Sequence, residues 1–352
     1  MAPTPIKRPL KRRGRSRTSR FLPYLYGGLI AVGFLLFDWA GCALLFPDQA
    51  PYRYELTKEG PIAEFPELGL AVPETLMIRK FEVRAEQATG PLAVLHTADP
   101  GEGAAPVLLE WQSRTAQPLR TVSGRLADLI SLAQAVTRHV PETAVVLGWW
   151  DTARQLKLLA GVDVLFDENL GQPLLIPPAW SGRRESIEAL EDLFWQVSSD
   201  SKPLFDRYLD ALLSDPGEGA ARLRALAGER QAYVAVRLAD AYLLGALRPE
   251  HFGVGFRDFP AGGEIHGQVT QVKDWLAENG YRSYAVDKKS LGATRVYFLT
   301  DAGAEGTLLA RMLPFTSSNP VQLEALRLVA NYGGYWVYKL PRVEKAISGD
   351  AR

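Results

Sequence analysis

The sequence predicts an α/β protein: a single N-terminal transmembrane helix followed by an exported α/β domain with a mainly parallel or mixed sheet. Three observations lead there. Residues 21–46 form a long apolar run directly behind a basic stretch. Beyond it, short β-branched runs alternate with helical patterns, the order that builds a sheet with helices around it. Residues 142–166 read as strand, helix and strand, which implies a parallel pair joined by a right-handed crossover.

The chain has 352 residues, with 47% hydrophobic and 23% charged content, which is a globular composition. Its formal charge of zero hides an asymmetry. Residues 1–20 carry eight basic side chains, Lys7, Arg8, Lys11, Arg12, Arg13, Arg15, Arg17 and Arg20, and no acid. Setting those aside leaves the remainder about eight charges negative. A folded part of that sign lacks the basic face that nucleic-acid binding needs, so no nucleic-acid partner is expected.

Phe21–Phe37 has no charge, and the apolar character continues to Phe46 with Asp38 as the interruption. A span of roughly 20 residues crosses the hydrocarbon core, and the basic block before it predicts a cytoplasmic N-terminus and an exported domain. The expected layout is therefore a cytoplasmic tail (1–20), an anchor in the inner membrane (21–46), a linker (47–60), a periplasmic domain (61–342) and a tail (343–352). A cleaved signal peptide would have a shorter apolar run. Trp39-Ala40-Gly41-Cys42 offers lipidation of Cys42 as another alternative. Cys42 is the only cysteine, which excludes an intrachain disulfide, a thiolate metal cluster and CxxCH haem attachment. No cofactor of its own is expected.

Pro73–Gln87, Pro91–Asp99 and Val107–Ser113 read as strands. The heptapeptide DPGEGAA occurs at Asp99–Ala105 and again at Asp215–Ala221, and both copies read as turns. Ser123 is placed to cap a helix whose stripe includes Leu126, Leu129, Leu132 and Val136, ending at Pro141. AVVLGWW is apolar throughout, as in a strand covered on both faces. Thr152–Ala160 reads as a helix closed by Gly161, and VDVLF as the next strand. Helical patterns follow at Arg183–Asp200, Lys202–Asp215 and Ala220–Arg230, then a strand at Ala232–Asp240. The C-terminal third gives a helix over Gly267–Gly280, strands in YRSYAVD and TRVYFLTD, a helix over Asn319–Gly334, and a closing strand Tyr335–Leu340.

Trp149-Trp150-Asp151 falls at the carboxyl end of a buried strand, where ligands bind in open α/β sheets. Asp151 could accept hydrogen bonds from a ligand hydroxyl, Trp149 and Trp150 could stack on it, and Arg154 one turn later could hold an anion. Alternatively, Asp151 caps the helix through the N–H of Ala153 or Arg154, and the indoles pack beneath the loop. His96, His139, His251 and His266 form no local metal motif. His251 and His266 share a segment with Glu250, Asp258 and Glu264 that reads as a Gly- and Pro-rich surface loop, with metal ligation after folding as the other reading. Asp163, Asp167 and Glu168 flank a short strand and read as a solvated strand end or a carboxylate pair. GxSxG, HExxH and P-loop motifs are absent.

The stretch LAQAVTRHVPETAVVLGWWDTARQLKLLAG, Leu132–Gly161, resembles the exported part of oligosaccharyltransferase catalytic subunits. In that family a helix, a proline-marked turn and a buried strand lead to a WWD signature that helps bind the acceptor. Trp149, Trp150 and Asp151 match it, whereas Thr152 and Ala153 stand where that family has Tyr-Gly. The resemblance implies a shared local fold. From Trp149 onward a longer resemblance is carried by YVAVRLADAYLLGALRPEHFGVGFRDFP, VKDWLAENGY, TLLARMLPFTSSNP and GGYWVYKL. These segments resemble the HaoB family, hydroxylamine oxidation proteins encoded beside hydroxylamine oxidoreductase. That resemblance implies a membrane-anchored periplasmic accessory, non-catalytic, working with the multihaem oxidoreductase. An enzymatic or ligand-binding α/β domain using the WWD loop on a glycan or peptide is the alternative.

Overall fold

The run Ala144–Gly148 has no polar residue because both faces of its strand are covered. Val145 and Leu147 pack into one core cluster with Leu209, Leu212 and Leu308, while Ala144 and Val146 pack into another with Leu132, Val136 and Leu156. The computed structural model describes residues 49–69, 76–86, 88–101, 103–115, 119–120, 126–260, 265–288 and 294–341. The expected basic tail, anchor, Cys42, Ser123 cap and C-terminal tail lie outside those residues. Among the described residues no helix is long and apolar enough to cross a membrane.

Four strands, β1 (Tyr52–Pro61), β2 (Met77–Ala85), β3 (Ala93–Asp99) and β4 (Val107–Ser113), form an antiparallel meander in that order. Then come α1 (Leu126–His139), β5 (Val145–Gly148), α2 (Trp150–Ala160) and β6 (Asp163–Val164). Three helices follow, α3 (Arg184–Trp195), α4 (Lys202–Leu213) and α5 (Pro216–Ala227), before β7 (Ala232–Arg237) and α6 (Leu238–Leu247). The last part contains β8 (Val254–Phe259), α7 (Ile265–Glu278), β9 (Tyr284–Lys288), β10 (Thr294–Leu299), α8 (Ala302–Glu305) and α9 (Leu308–Met312). A hairpin of β11 (Arg327–Tyr332) and β12 (Tyr335–Lys339) closes it.

The central sheet has the order β11-β12-β7-β5-β6. In it β5 pairs in parallel with β6 and β7, while β12 joins β7 and β11 in antiparallel register. The expected β-α-β unit is thus present as β5-α2-β6. A third, antiparallel sheet has the order β8-β10-β9. The fold is α/β with one mixed sheet and two antiparallel ones, so the mainly parallel form of the expectation does not hold.

Four local expectations are corrected. Residues 52–60, expected as linker, belong to β1, which pairs with β2 from Tyr52 to Pro61. The second DPGEGAA copy starts α5: the Asp215 carboxylate accepts from Gly217 N and Glu218 N, and Pro216 occupies the first turn, where its missing N–H costs nothing. The segment expected as a loop around Phe256 contains β8, paired with β10. The expected helix over Asn319–Gly334 is instead a short 3₁₀ turn and β11. Gly333 and Gly334, at φ 57° and 78°, form the two-residue turn of the β11-β12 hairpin. Positive φ at both central residues is what a twisted hairpin of this length demands, and glycine meets it without a Cβ clash.

Candidate functional site

The WWD junction begins where β5 stops. A Cβ on Gly148 would lie 3.1 Å from the Ala235 carbonyl oxygen, so glycine permits the close approach of β5 to β7. Trp149, at φ −57° and ψ 138°, occupies the N-cap position of α2 with no side-chain cap. The helix therefore starts at Trp150, two residues earlier than the sequence suggests, and Asp151 lies within its first turn instead of capping it. Its Oδ1 accepts from Thr152 N at 2.5 Å and Thr152 Oγ1 at 3.3 Å. A carboxylate there also suits the positive end of the helix dipole.

All four candidate residues, Trp149, Trp150, Asp151 and Arg154, are buried. Trp149 meets Phe205 edge-on with ring centroids 5.2 Å apart, and its Nε1 has no hydrogen-bond partner. Trp150 Nε1 donates to the Gly171 carbonyl at 2.9 Å. Arg154 donates to the carbonyls of Pro106, at 3.0 Å, and Ala105, while Gln155 Nε2 donates to the Leu108 carbonyl at 2.6 Å. One face of α2 is thereby fastened to the start of β4. Burial lowers the Arg154 pKa, against the attraction of Asp167 and Asp151.

Asp151 turns its other oxygen toward a buried charge network. Oδ2 accepts from Gln172 Nε2 at 2.8 Å and from Arg237 Nη2 at 2.9 Å. Arg237 also donates through Nε to Asp240 Oδ1 at 3.2 Å and through Nη1 to Tyr335 Oη at 3.1 Å. Asp240 Oδ2 accepts from the Arg237 backbone N–H at 3.0 Å, which ends β7 and starts α6. This is why the strand expected over Ala232–Asp240 stops at Arg237. Burial pushes the Asp240 pKa up to about 6; Arg237 opposes this and Asp151 adds to it. Burial works against the Arg237 cation, but Tyr335, Asp151 and Asp240 hold its pKa well above the usual value. The local sequence Arg237-Leu238-Ala239-Asp240, with an acid three residues after a strand end, is the one sequence signal of this network.

A second buried network is absent from the sequence reading. Glu191 on α3 accepts from Tyr52 Oη at 2.5 Å, Tyr54 Oη at 2.7 Å, Trp195 Nε1 at 3.0 Å, and from Arg120. Burial would raise the Glu191 pKa, yet Arg120 and the two phenols hold it below the ordinary value. Burial, Glu191 and the neighbouring phenol raise Tyr52 strongly. No sequence spacing announces this cluster, because its members come from β1, the segment at Arg120, and α3.

The remaining candidates stay apart. His251 and Glu250 are exposed, and Asp258 pairs with Arg295 through two bonds at 2.7 and 2.8 Å. The side chains of Glu264 and His266 lie outside the described residues. Asp167 pairs with Lys157, whereas Glu168 accepts from Ser198 Oγ at 2.9 Å and Ser201 N at 3.1 Å, and the Ser198 bond leads in lowering its pKa. Among the described residues no group of three or more His, Cys, Asp or Glu side chains is placed to hold a metal.

No curated protein matches this chain. Among solved structures, the crystal structure of the C-terminal domain of PglB from C. jejuni aligns with 60% of this chain and 99% of its own, at 12% identity and a TM-score of 0.35. The family described as HaoA-associated protein HaoB matches from residue 18 to residue 340. That span takes in the WWD junction, both buried networks and all three sheets, and it bears out the longer of the two resemblances read from the sequence. The chain belongs to the HaoB family of HaoA-associated proteins, and with it to the proteins connected with hydroxylamine oxidation.

Proposed function

We propose that this protein is a membrane-anchored periplasmic accessory of hydroxylamine oxidation that docks or assists the multihaem hydroxylamine oxidoreductase. The observation that carries this reading is the family match over residues 18–340, which takes in the apolar run 21–46 as well as the folded unit. The family's description as HaoA-associated supports the partner. The anchor rests on the length of the apolar run and on the basic residues before it. The four residues of the WWD junction are buried and their charged groups are bonded within the chain, which favours an accessory over a binder of glycans or peptides at that place.

Co-purification from membranes in mild detergent and low salt tests the docking. The full chain retains the multihaem protein, and a variant lacking residues 1–46 releases the domain from the membrane fraction. Loss of the haem protein from the full-chain preparation overturns docking, and membrane retention of the truncated chain overturns the anchor. Protease added to intact spheroplasts degrades the domain if it is periplasmic and spares it if it is not.

A further inference from the structure

Between Arg120, α3 and the loop 169–174 lies a chamber of about 60 Å³, adjoined by a recess of about 10 Å³ that α2 borders at the WWD junction. Arg120, Asn169, Gln172 and Trp195 border both spaces. We propose that this chamber binds a small uncharged molecule that carries both a hydrogen-bond donor and an acceptor. The proposal does not rest on docking to the oxidoreductase.

The size follows from the volume. One water needs roughly 10–15 Å³ of such space, so the chamber takes about five non-hydrogen atoms at most. The exclusion of ions follows from the charges at its two ends. Glu188 and Asp192 are exposed at the α3 side and repel an anion on entry. Arg120 is buried and paired with Glu191, which also borders the chamber, and Arg154 borders the recess. Arg120 already has Glu191 as its counter-charge and Asp151 has Arg237, so neither is available to neutralise an ion that enters. An unpaired ion would keep its desolvation cost, whereas a neutral molecule avoids it.

The donor and acceptor follow from two amides. Asn169, which is 2% exposed, accepts from Gly171 N at 3.1 Å through Oδ1, and among the described residues its Nδ2 has no hydrogen-bond acceptor. Gln172 donates through Nε2 to Asp151 at 2.8 Å, and among the described residues its Oε1 has no hydrogen-bond donor. Each amide is thus oriented by one internal bond and offers its other atom, one a donor and one an acceptor. The indole N–H groups of Trp150 and Trp195 are already bonded, so Trp195 contributes apolar wall to the chamber and Trp150 to the recess beside it. An amide-like molecule such as formamide or acetamide has the complementary pair of groups.

The test uses the full chain in mild detergent, labelled with 5-fluorotryptophan, whose eight tryptophans give separate ¹⁹F signals. Trp150 and Trp195 are assigned by replacement with phenylalanine. Formamide and acetamide are expected to shift these two signals saturably, whereas formate and methylammonium are not. Val197 also lines the chamber, and Val197→Phe, which adds bulk there, is expected to abolish the saturable shift. Asn169→Asp keeps the acceptor for Gly171 N and removes the donor, and is expected to weaken binding roughly tenfold, the worth of one hydrogen bond. If Val197→Phe disturbs the other indole signals, Asn169→Asp decides. Shifts that grow linearly without saturation, or that survive in both variants, show an adventitious additive and a chamber holding water alone. Equal binding of formate or methylammonium overturns the uncharged class.

Discussion

Two buried arginines stand in opposite surroundings. Arg237 faces two carboxylates, Asp151 and Asp240, with the Tyr335 phenol as a third partner. Arg120 faces one carboxylate, Glu191, which also accepts from two tyrosines and a tryptophan. In the first cluster acid is in excess and burial pushes Asp240 up to about 6. In the second, donors are in excess and Glu191 is held below its ordinary value although it is also buried. Burial alone therefore does not set the direction of a carboxylate's pKa. The number of donors it must share does.

The largest expected effect lies in the donor-rich cluster. Glu191→Ala leaves a buried guanidinium and two phenols without their acceptor, and should cost about 3–5 kcal/mol in urea unfolding. A loss below about 1 kcal/mol, as at a solvated pair, would mean that the two clusters do not differ in the way described.

The acid-rich cluster should differ in sign. Asp240 has a folded pKa of about 6 against an ordinary 3.8, so its contribution to stability is fully present below 3.8 and is lost as pH rises through about 6. Asp240→Asn removes that dependence. Relative to the wild type, the variant should gain up to about 3 kcal/mol between those pH values, at about 1.4 kcal/mol per unit. Glu191 and Glu168 act in the opposite direction, so the comparison must be made against wild type at each pH. A flat difference would remove Asp240 as the titrating group.

Asp151 sharpens the comparison because its charge is shared. Asp151→Ala loses the acceptor for Thr152 N, Gln172 and Arg237 and should cost about 2 kcal/mol, while Asp240 still neutralises Arg237. Asp151→Asn keeps the Thr152 bond and should cost about half as much. Equal losses would mean that the charge facing Arg237, and not the helix-end bond, carries the interaction. The smallest effect belongs to the hairpin. Gly334→Ala should cost roughly 1 kcal/mol from its positive φ. Gly333→Ala should cost more, because its Cβ would lie 2.6 Å from Asp128 Cα. Chemical denaturation of both variants checks the order.

Much of the fold was legible. The period of Leu126, Leu129, Leu132 and Val136 located α1, the apolar run located β5, and Gly161 closed α2 at φ 65°. The hairpin was missed because LEALRLVANY carries apolar residues at spacings that also suit a helix. Its strand character comes from β12, which pairs on its other side with β7. The WWD residues were singled out correctly as a strand-to-helix junction, but the partners of Asp151 lie 21 and 86 residues away and no local pattern names them.

The repeated heptapeptide marks the division most simply. In both copies the opening aspartate accepts from the N–H two residues on, Gly101 at 3.0 Å and Gly217 at 3.0 Å, as a local Asp-Pro-Gly turn dictates. One copy then leads into β4, and the other continues as α5, because Ala220 and Leu223 find a core against which to pack. The sequence by itself determined the α/β class, the positions of the strongly periodic elements and the family, since all of these reside in neighbouring residues or in the order of segments. Tertiary structure decided which turn became a helix, which ambiguous segment became a strand, and which charges share a site. Those outcomes depend on burial against residues far along the chain, where the same side chain is stabilised or penalised by the neighbours that folding brings to it.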